Sequence, residues 1–94
     1  MTLGSGIVTL GESAFNTCTG LTTMVFPGSL KTIGDYCFSG STNLWELTFQ
    51  GNAPAIGTGA FKGLDACAYY PLGNSTWTKS VRQNYGGTIL WMAQ

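Results

Sequence analysis

Hydrophobic positions along the chain recur with a period longer than any single secondary element. Leu10, Ile33 and Ile56 each precede a glycine and stand 23 residues apart. At the same offset beyond each comes a small residue followed by phenylalanine: Ala14-Phe15, Cys37-Phe38, Ala60-Phe61. Leu21 and Leu44, Met24 and Leu47, Phe26 and Phe49 continue the correspondence. Leu3 occupies the Phe26 slot and Ile7 the Leu30 slot, so the chain opens inside a repeat. The units are a partial repeat at 1–9 and repeats at 10–32, 33–55 and 56–73. The third is shorter, with ten residues from Phe61 to Pro71 where Phe15 to Pro27 spans twelve. A period of this size marks a solenoid, because one such unit cannot bury its apolar edge without neighbours.

Each unit changes period internally. Leu21–Phe26 ends in the alternation of a short strand, which Pro27 stops, and Leu44–Phe49 repeats it with clearer polar alternates. The Gly-x-x-small-Phe segment reads as one helical or 3₁₀ turn. Stacking then predicts a repeat solenoid with one strand and one short helical turn per 23 residues. A parallel sheet would line one side, with a column of phenylalanines inside. After Pro71 the pattern stops. Trp77, Val81 and Tyr85 fall at i, i+4 and i+8 and predict a helix. Asn74, Ser75 or Thr76 would supply its N-cap and Gly86 its left-handed C′ residue, with Lys79 and Arg82 towards solvent or the helix C-terminus. Thr88–Met92 reads as extended. Residues 74–94 are therefore expected to form a C-terminal helix-strand cap.

Composition narrows the chemistry. The hydrophobic share of 44% supports a packed interior, whereas 9% charged residues is far below the usual quarter or so. Four basic and four acidic residues cancel, leaving no footprint for nucleic acid or an anionic membrane surface. No apolar run is long enough for membrane insertion, and Met1–Gly4 shows no basic n-region leading into an apolar h-region. Without histidine no His-based triad, relay or zinc site can be built. Cys18, Cys37 and Cys67 sit at three different repeat offsets, so converging metal ligation is not indicated. All three are expected to be reduced thiols in small core slots, Cys18 and Cys37 being the pair most able to approach. Glu12 and Asp35 are repeat equivalents, and Thr58 ends their series. They are read as negative charges at exposed N–H groups of the turn, in preference to an acid–base pair or calcium site. Gly57-x-Gly59 and Gly4-x-Gly6 are read as repeat corners and not nucleotide loops. Asn74-Ser75-Thr76 fits a glycosylation sequon, with helix capping the preferred role. No catalytic residues and no cofactor or metal are implied.

Leu10-Gly11, Ala14-Phe15, Cys18, Leu21, Met24, Phe26 and Pro27 trace a recognisable motif. Ile33-Gly34, Cys37-Phe38, Leu44, Leu47 and Phe49 repeat it. The pattern resembles the BspA-like leucine-rich repeats, also called the Treponema pallidum type. The second copy departs from it with Cys37 in the alanine slot, Ser41 in the cysteine slot and Gln50 in the proline slot. The resemblance covers residues 3–73, and Tyr69–Trp77 is similar to the ending of such arrays from gut bacteria. It implies a bacterial cell-surface or secreted protein, adhesin-like and without shared catalytic residues. The partner it implies is a host or bacterial surface protein or glycan.

If Leu21, Met24 and Phe26 face inward, Thr23 and Val25 face outward. Their counterparts are Glu46 and Thr48, with Tyr69 in the shortened copy. Trp45 stands where the first copy has Thr22. It is either an exposed contact residue, as hot-spot tryptophans are, or it packs on a neighbouring loop. Thr23, Val25, Trp45, Glu46, Thr48 and Tyr69 are the candidate ligand face of a module expected to be monomeric. The alternative is a structural spacer that projects another domain and binds nothing itself.

Overall fold

The computed structural model describes residues 1–94. Alternation along Thr23–Phe26 (β2) and Glu46–Phe49 (β4) buries Met24, Phe26, Leu47 and Phe49 and leaves the residues between them half-buried. These strands pair in parallel with Asp65–Tyr70 (β6), which pairs in turn with Thr88–Ala93 (β7), giving the order β2-β4-β6-β7. A second parallel sheet, absent from the sequence reading, joins three two-residue strands. They are β1 (Thr9–Leu10), β3 (Thr32–Ile33) and β5 (Ala55–Ile56), in the order β1-β3-β5. The chain is thus a parallel β-solenoid of about four turns with a repeat near 23 residues.

Phe15, Phe38 and Phe61 form the expected column, with ring centroids 5.2 and 6.1 Å apart, and Tyr85 adds a fourth ring edge-on at 5.8 Å. A second column runs from Phe26 to Phe49 at 4.5 Å and on to Trp77 at 4.7 Å. Phe26 meets Phe38 edge-on at 5.8 Å and joins the two. The shortened third copy explains the end of the stack. Glu46 faces Cys67, 21 residues on, which sets small Ala68 between Leu47 and Trp91. The Trp91 ring then reaches Phe49 with centroids 5.8 Å apart. Ser41, in the cysteine slot, is fully buried yet satisfied: its hydroxyl donates to Phe15 O (2.6 Å) and accepts from Cys18 N–H (3.0 Å).

No helix forms, which corrects two expectations. The Gly-x-x-small-Phe segments are paired tight turns. Bonds from Cys37 N–H to Gly34 O (3.3 Å) and from Ser39 N–H to Tyr36 O (3.1 Å) close two of them. Ser13, Tyr36 and Gly59, in one repeat slot, have φ of 56°, 55° and 64°. A left-handed residue there cannot continue a right-handed helix. The conformation turns backbone groups towards the next coil instead. Phe15 N–H donates to Cys37 O and Phe38 N–H to Ala60 O, both at 2.8 Å. Asp35 likewise serves the next coil, accepting from Thr58 N–H at 2.9 Å.

The predicted cap helix is also replaced by turns, though its apolar stripe is correctly placed. Trp77 is buried, and Val81 and Tyr85 pack against the core. Tyr85 is left-handed at φ 48°, and its carbonyl accepts from Phe61 N–H (3.0 Å), continuing the coil-to-coil ladder. Gly86 is left-handed as expected, at φ 90°, but it follows a turn. Asn74 caps no helix. Its Oδ1 accepts from Thr76 N–H (3.0 Å) while its amide donates to Asn52 Oδ1 (2.9 Å), so the sequon side chain is engaged in coil stacking. A segment rich in Ser, Thr and Asn offers such competing bonds, which is why these residues favour turns over helix interiors. Arg82 is half-buried, with its guanidinium 5.3 Å from the centre of the Tyr70 ring and bonded to the phenol oxygen at 3.2 Å. The strand of the expected cap does form, as β7.

Coils approach closely at the glycine corners. A Cβ on Gly34 would lie 2.5 Å from Glu12 N, whereas one on Gly11, the same slot a repeat earlier, would meet nothing within 4 Å. Gly34→Ala is therefore expected to lower stability by about 1–3 kcal/mol, as overpacking does, while Gly11→Ala should leave it nearly unchanged. Paired denaturant melts check this. Equal losses would show that the corner spacing does not matter. Phe38, buried between neighbours on three sides, should lose about 3–5 kcal/mol on replacement by alanine. Half-buried Phe15 should lose less. The same melts compare them, and an unperturbed Phe38→Ala protein would contradict the stacked column.

Candidate functional site

The outward positions of the large sheet form two rows across its strands. Val25, Thr48, Tyr69 and Met92 are in register, as are Thr23, Glu46, Cys67 and Leu90. Five of the six candidate residues (Thr23, Val25, Glu46, Thr48 and Tyr69) therefore lie side by side, each half-buried. Parity along a strand turns alternate side chains to the same face, which is what brings them together from three coils.

Trp45 lies one residue before β4. Its N–H donates to Thr22 O and its carbonyl accepts from Cys67 N–H, both at 2.9 Å, so the backbone is held between coils. The side chain is 53% exposed, which favours the contact reading over packing on a loop. Leu90 and Met92 are 60% and 43% exposed and were not among the candidates. Their signal was present in the alternation of Thr88–Met92. It could be used only once β7 was known to pair with β6 in parallel.

Cys67 was also missed, and it corrects the core-slot reading. All three cysteines are free, but Cys37 alone is fully buried; Cys18 and Cys67 are half-buried. Cys67 belongs to the outward row, between Glu46 and Leu90. Burial pushes the Cys37 thiol above its ordinary range, with smaller opposing contributions from hydrogen bonds to the Phe15 and Ala14 backbone.

The charged side chains on this face are Glu46 and Asp65, both acidic, while Lys31, Lys62, Lys79 and Arg82 lie off these strands. No group of three His, Cys, Asp or Glu side chains gathers to hold a metal ion, and no pocket opens in the surface. The arrangement is a shallow face of small hydroxyls, one phenol and two acids, bordered by Trp45, Leu90 and Met92. Such a surface offers hydrogen bonds and apolar contact to a ligand laid across it. Residues 1–81 match the family model described as the BspA type leucine-rich repeat region, six copies. No curated protein and no solved structure matches the chain.

Thiol labelling tests the placement of the cysteines. Cys67 is expected to react first in the native protein, Cys18 more slowly, and Cys37 only when denaturant is added, since burial withholds the reactive thiolate. Peptide mapping after timed alkylation reads the order. A Cys67 that resists labelling until unfolding would remove it from the outward row.

Proposed function

The chain belongs to the BspA-type leucine-rich repeat family, and we propose that it is a non-catalytic binding module whose large-sheet face engages a surface protein. The observation that carries this reading is the in-register face itself, with Trp45, Leu90 and Met92 exposed at its border. Exposed tryptophan and tyrosine are the side chains that most often dominate protein interfaces. A flat surface suits a macromolecule better than a small ligand, which needs a cleft to bury it. The acidic sign of the face favours a partner that is neutral or basic where it meets Glu46 and Asp65. The cell surface or the extracellular space is the setting proposed for this adhesin-like role.

A glycan is the second reading, favoured by the exposed Trp45 ring, whose apolar face can stack on a sugar. The spacer reading has no such observation behind it. It predicts a chain that binds nothing.

Arrays of extracellular-matrix proteins and of glycans, probed with the 94-residue chain, separate the three readings. Binding to a protein is expected. Trp45→Ala and Tyr69→Ala should each weaken it by about tenfold or more, the loss typical of a hot-spot residue, without lowering the melting temperature. Val8→Ala, an exposed residue away from this sheet, should leave binding unchanged. Binding insensitive to both face variants would place the contact elsewhere on the solenoid.

A further inference from the structure

Cys67 is a small side chain set among larger ones on the outward face of the large sheet. Parallel register puts Glu46 beside it on β4 and Leu90 beside it on β7. Asp65 and Tyr69 share its face, two residues before and two after it on β6. Strands about 4.8 Å apart, rising about 3.3 Å per residue, leave the Asp65 and Tyr69 Cα atoms each about 8 Å from that of Glu46. Two carboxylates and a phenol ring therefore surround one half-buried thiol. Glu46 and Tyr69 are themselves half-buried, and Asp65 is exposed. A short side chain among longer ones makes a dip in the face, too shallow to enclose a free ligand. It is open to a side chain carried by another molecule.

The charges around this dip are of one sign. No lysine or arginine stands on β2, β4, β6 or β7, and Lys31, Lys62, Lys79 and Arg82 all belong to other segments. Nothing on the sheet supplies a countercharge to Glu46 and Asp65. The next residue of β6 shows which cation a tyrosine here accommodates. Tyr70, turned to the other side of the strand, has the Arg82 guanidinium 5.3 Å from its ring centre, and Arg82 donates to the phenol oxygen at 3.2 Å. Tyr69 lies on the side of the two carboxylates, where the sheet bears no cation.

We propose, resting on the reading of this face as a contact surface, that its protein partner seats an arginine side chain over Cys67. The guanidinium donates to the Glu46 and Asp65 carboxylates and lies against the Tyr69 ring, while its methylene stem rests on Leu90. Arginine suits the position better than lysine for two reasons. Its planar fork donates in several directions at once, so it can serve carboxylates that approach from different strands. It is also weakly hydrated and stacks on aromatic rings, whereas an ammonium is a strongly hydrated point charge. Trp45, one residue before Glu46 and exposed, is left for an apolar neighbour of that arginine in the partner.

The probe is a short end-blocked peptide with one arginine between glycines, compared with its lysine and citrulline versions. Citrulline keeps the shape of arginine and removes the charge. The arginine peptide is expected to shift the backbone amide resonances of Asp65, Glu46, Cys67 and Tyr69, and to slow alkylation of Cys67 by iodoacetamide but not that of Cys18. The lysine peptide should bind more weakly, and the citrulline peptide should do neither. Glu46→Gln and Asp65→Asn should each weaken the arginine peptide by about twofold to fivefold, the loss of one exposed ion pair, and added salt should weaken it further. Circular dichroism melts verify that both variants are folded, and the three peptides on the wild-type chain test the site without any variant. An arginine peptide that leaves these resonances and the Cys67 labelling rate unchanged overturns the proposal. So does a lysine or citrulline peptide that binds as tightly, or binding indifferent to both acid variants. A protein partner that is lost with Trp45→Ala but unaffected by Glu46→Gln and Asp65→Asn would overturn the arginine site and leave the contact face standing. Arginine-peptide binding by a chain that captures no protein from the arrays would keep the site and sink the wider reading.

Discussion

Backbone hydrogen bonds from each coil to the next are the constraint on which the rest of the structure depends. A coil of this chain closes few bonds within itself beyond its tight turns. Its remaining donors and acceptors are met by the coil before and the coil after, along the large sheet, the small sheet and the turn segments between them. A buried backbone group without a partner is costly, so equivalent residues must stay in step from coil to coil. The strict period in the sequence is the consequence. Left-handed residues at Ser13, Tyr36 and Gly59 are tolerated because they aim backbone groups at the neighbouring coil. Gly34 is glycine because the neighbouring backbone comes too near for any side chain.

The same register explains the low charge. Parallel strands lie about 4.8 Å apart, so a charged residue repeated in one slot faces its own copy across that distance, and like charges so placed repel. Neutral hydroxyls and amides avoid the conflict and bond from coil to coil, as Asn52 does with Asn74 and Thr76 with Ala53. Glu12 and Asp35 are the one pair of like charges in a shared slot among the main copies, and Thr58 ends it while donating its own N–H to the Asp35 carboxylate. Aromatic rings benefit from the repetition that disfavours charges. Ring-to-ring contacts run unbroken through both columns, and Trp77, Tyr85 and Trp91 extend them past the last regular repeat.

The outer strands of the large sheet are reached differently: Met1–Leu3, from the partial repeat, bond along β2, and β7 with the turns before it lies along β6. On β7 the Asn84 side-chain oxygen accepts from the Ile89 N–H, so a side chain of the preceding turn takes the place of a backbone partner there. The lateral face is different in kind. Its backbone is fully committed to neighbouring strands, and only side chains are available there for recognition.

Several features were legible from residue order alone because they depend on period and parity. The 23-residue repeat, the phenylalanine column and the strands at Thr23–Phe26 and Glu46–Phe49 follow from spacing. So does the outward disposition of Thr23, Val25, Glu46, Thr48 and Tyr69, since a strand's alternate side chains share a face whatever lies around it. Other features were decided only by tertiary structure. The stripe of Trp77, Val81 and Tyr85 is buried as its spacing indicated, but on turns, because the Tyr85 carbonyl is claimed by Phe61 of the coil below. Two-residue strands such as Thr9–Leu10 carry too little pattern to be recognised by themselves and exist through their neighbours. Cys67, Leu90 and Met92 joined the outer face only when parallel pairing set the register of β6 against β4 and β7. Spacing within a segment is a local property that residue order carries; the partner of a backbone group, and hence the choice between turn and helix, belongs to the stack.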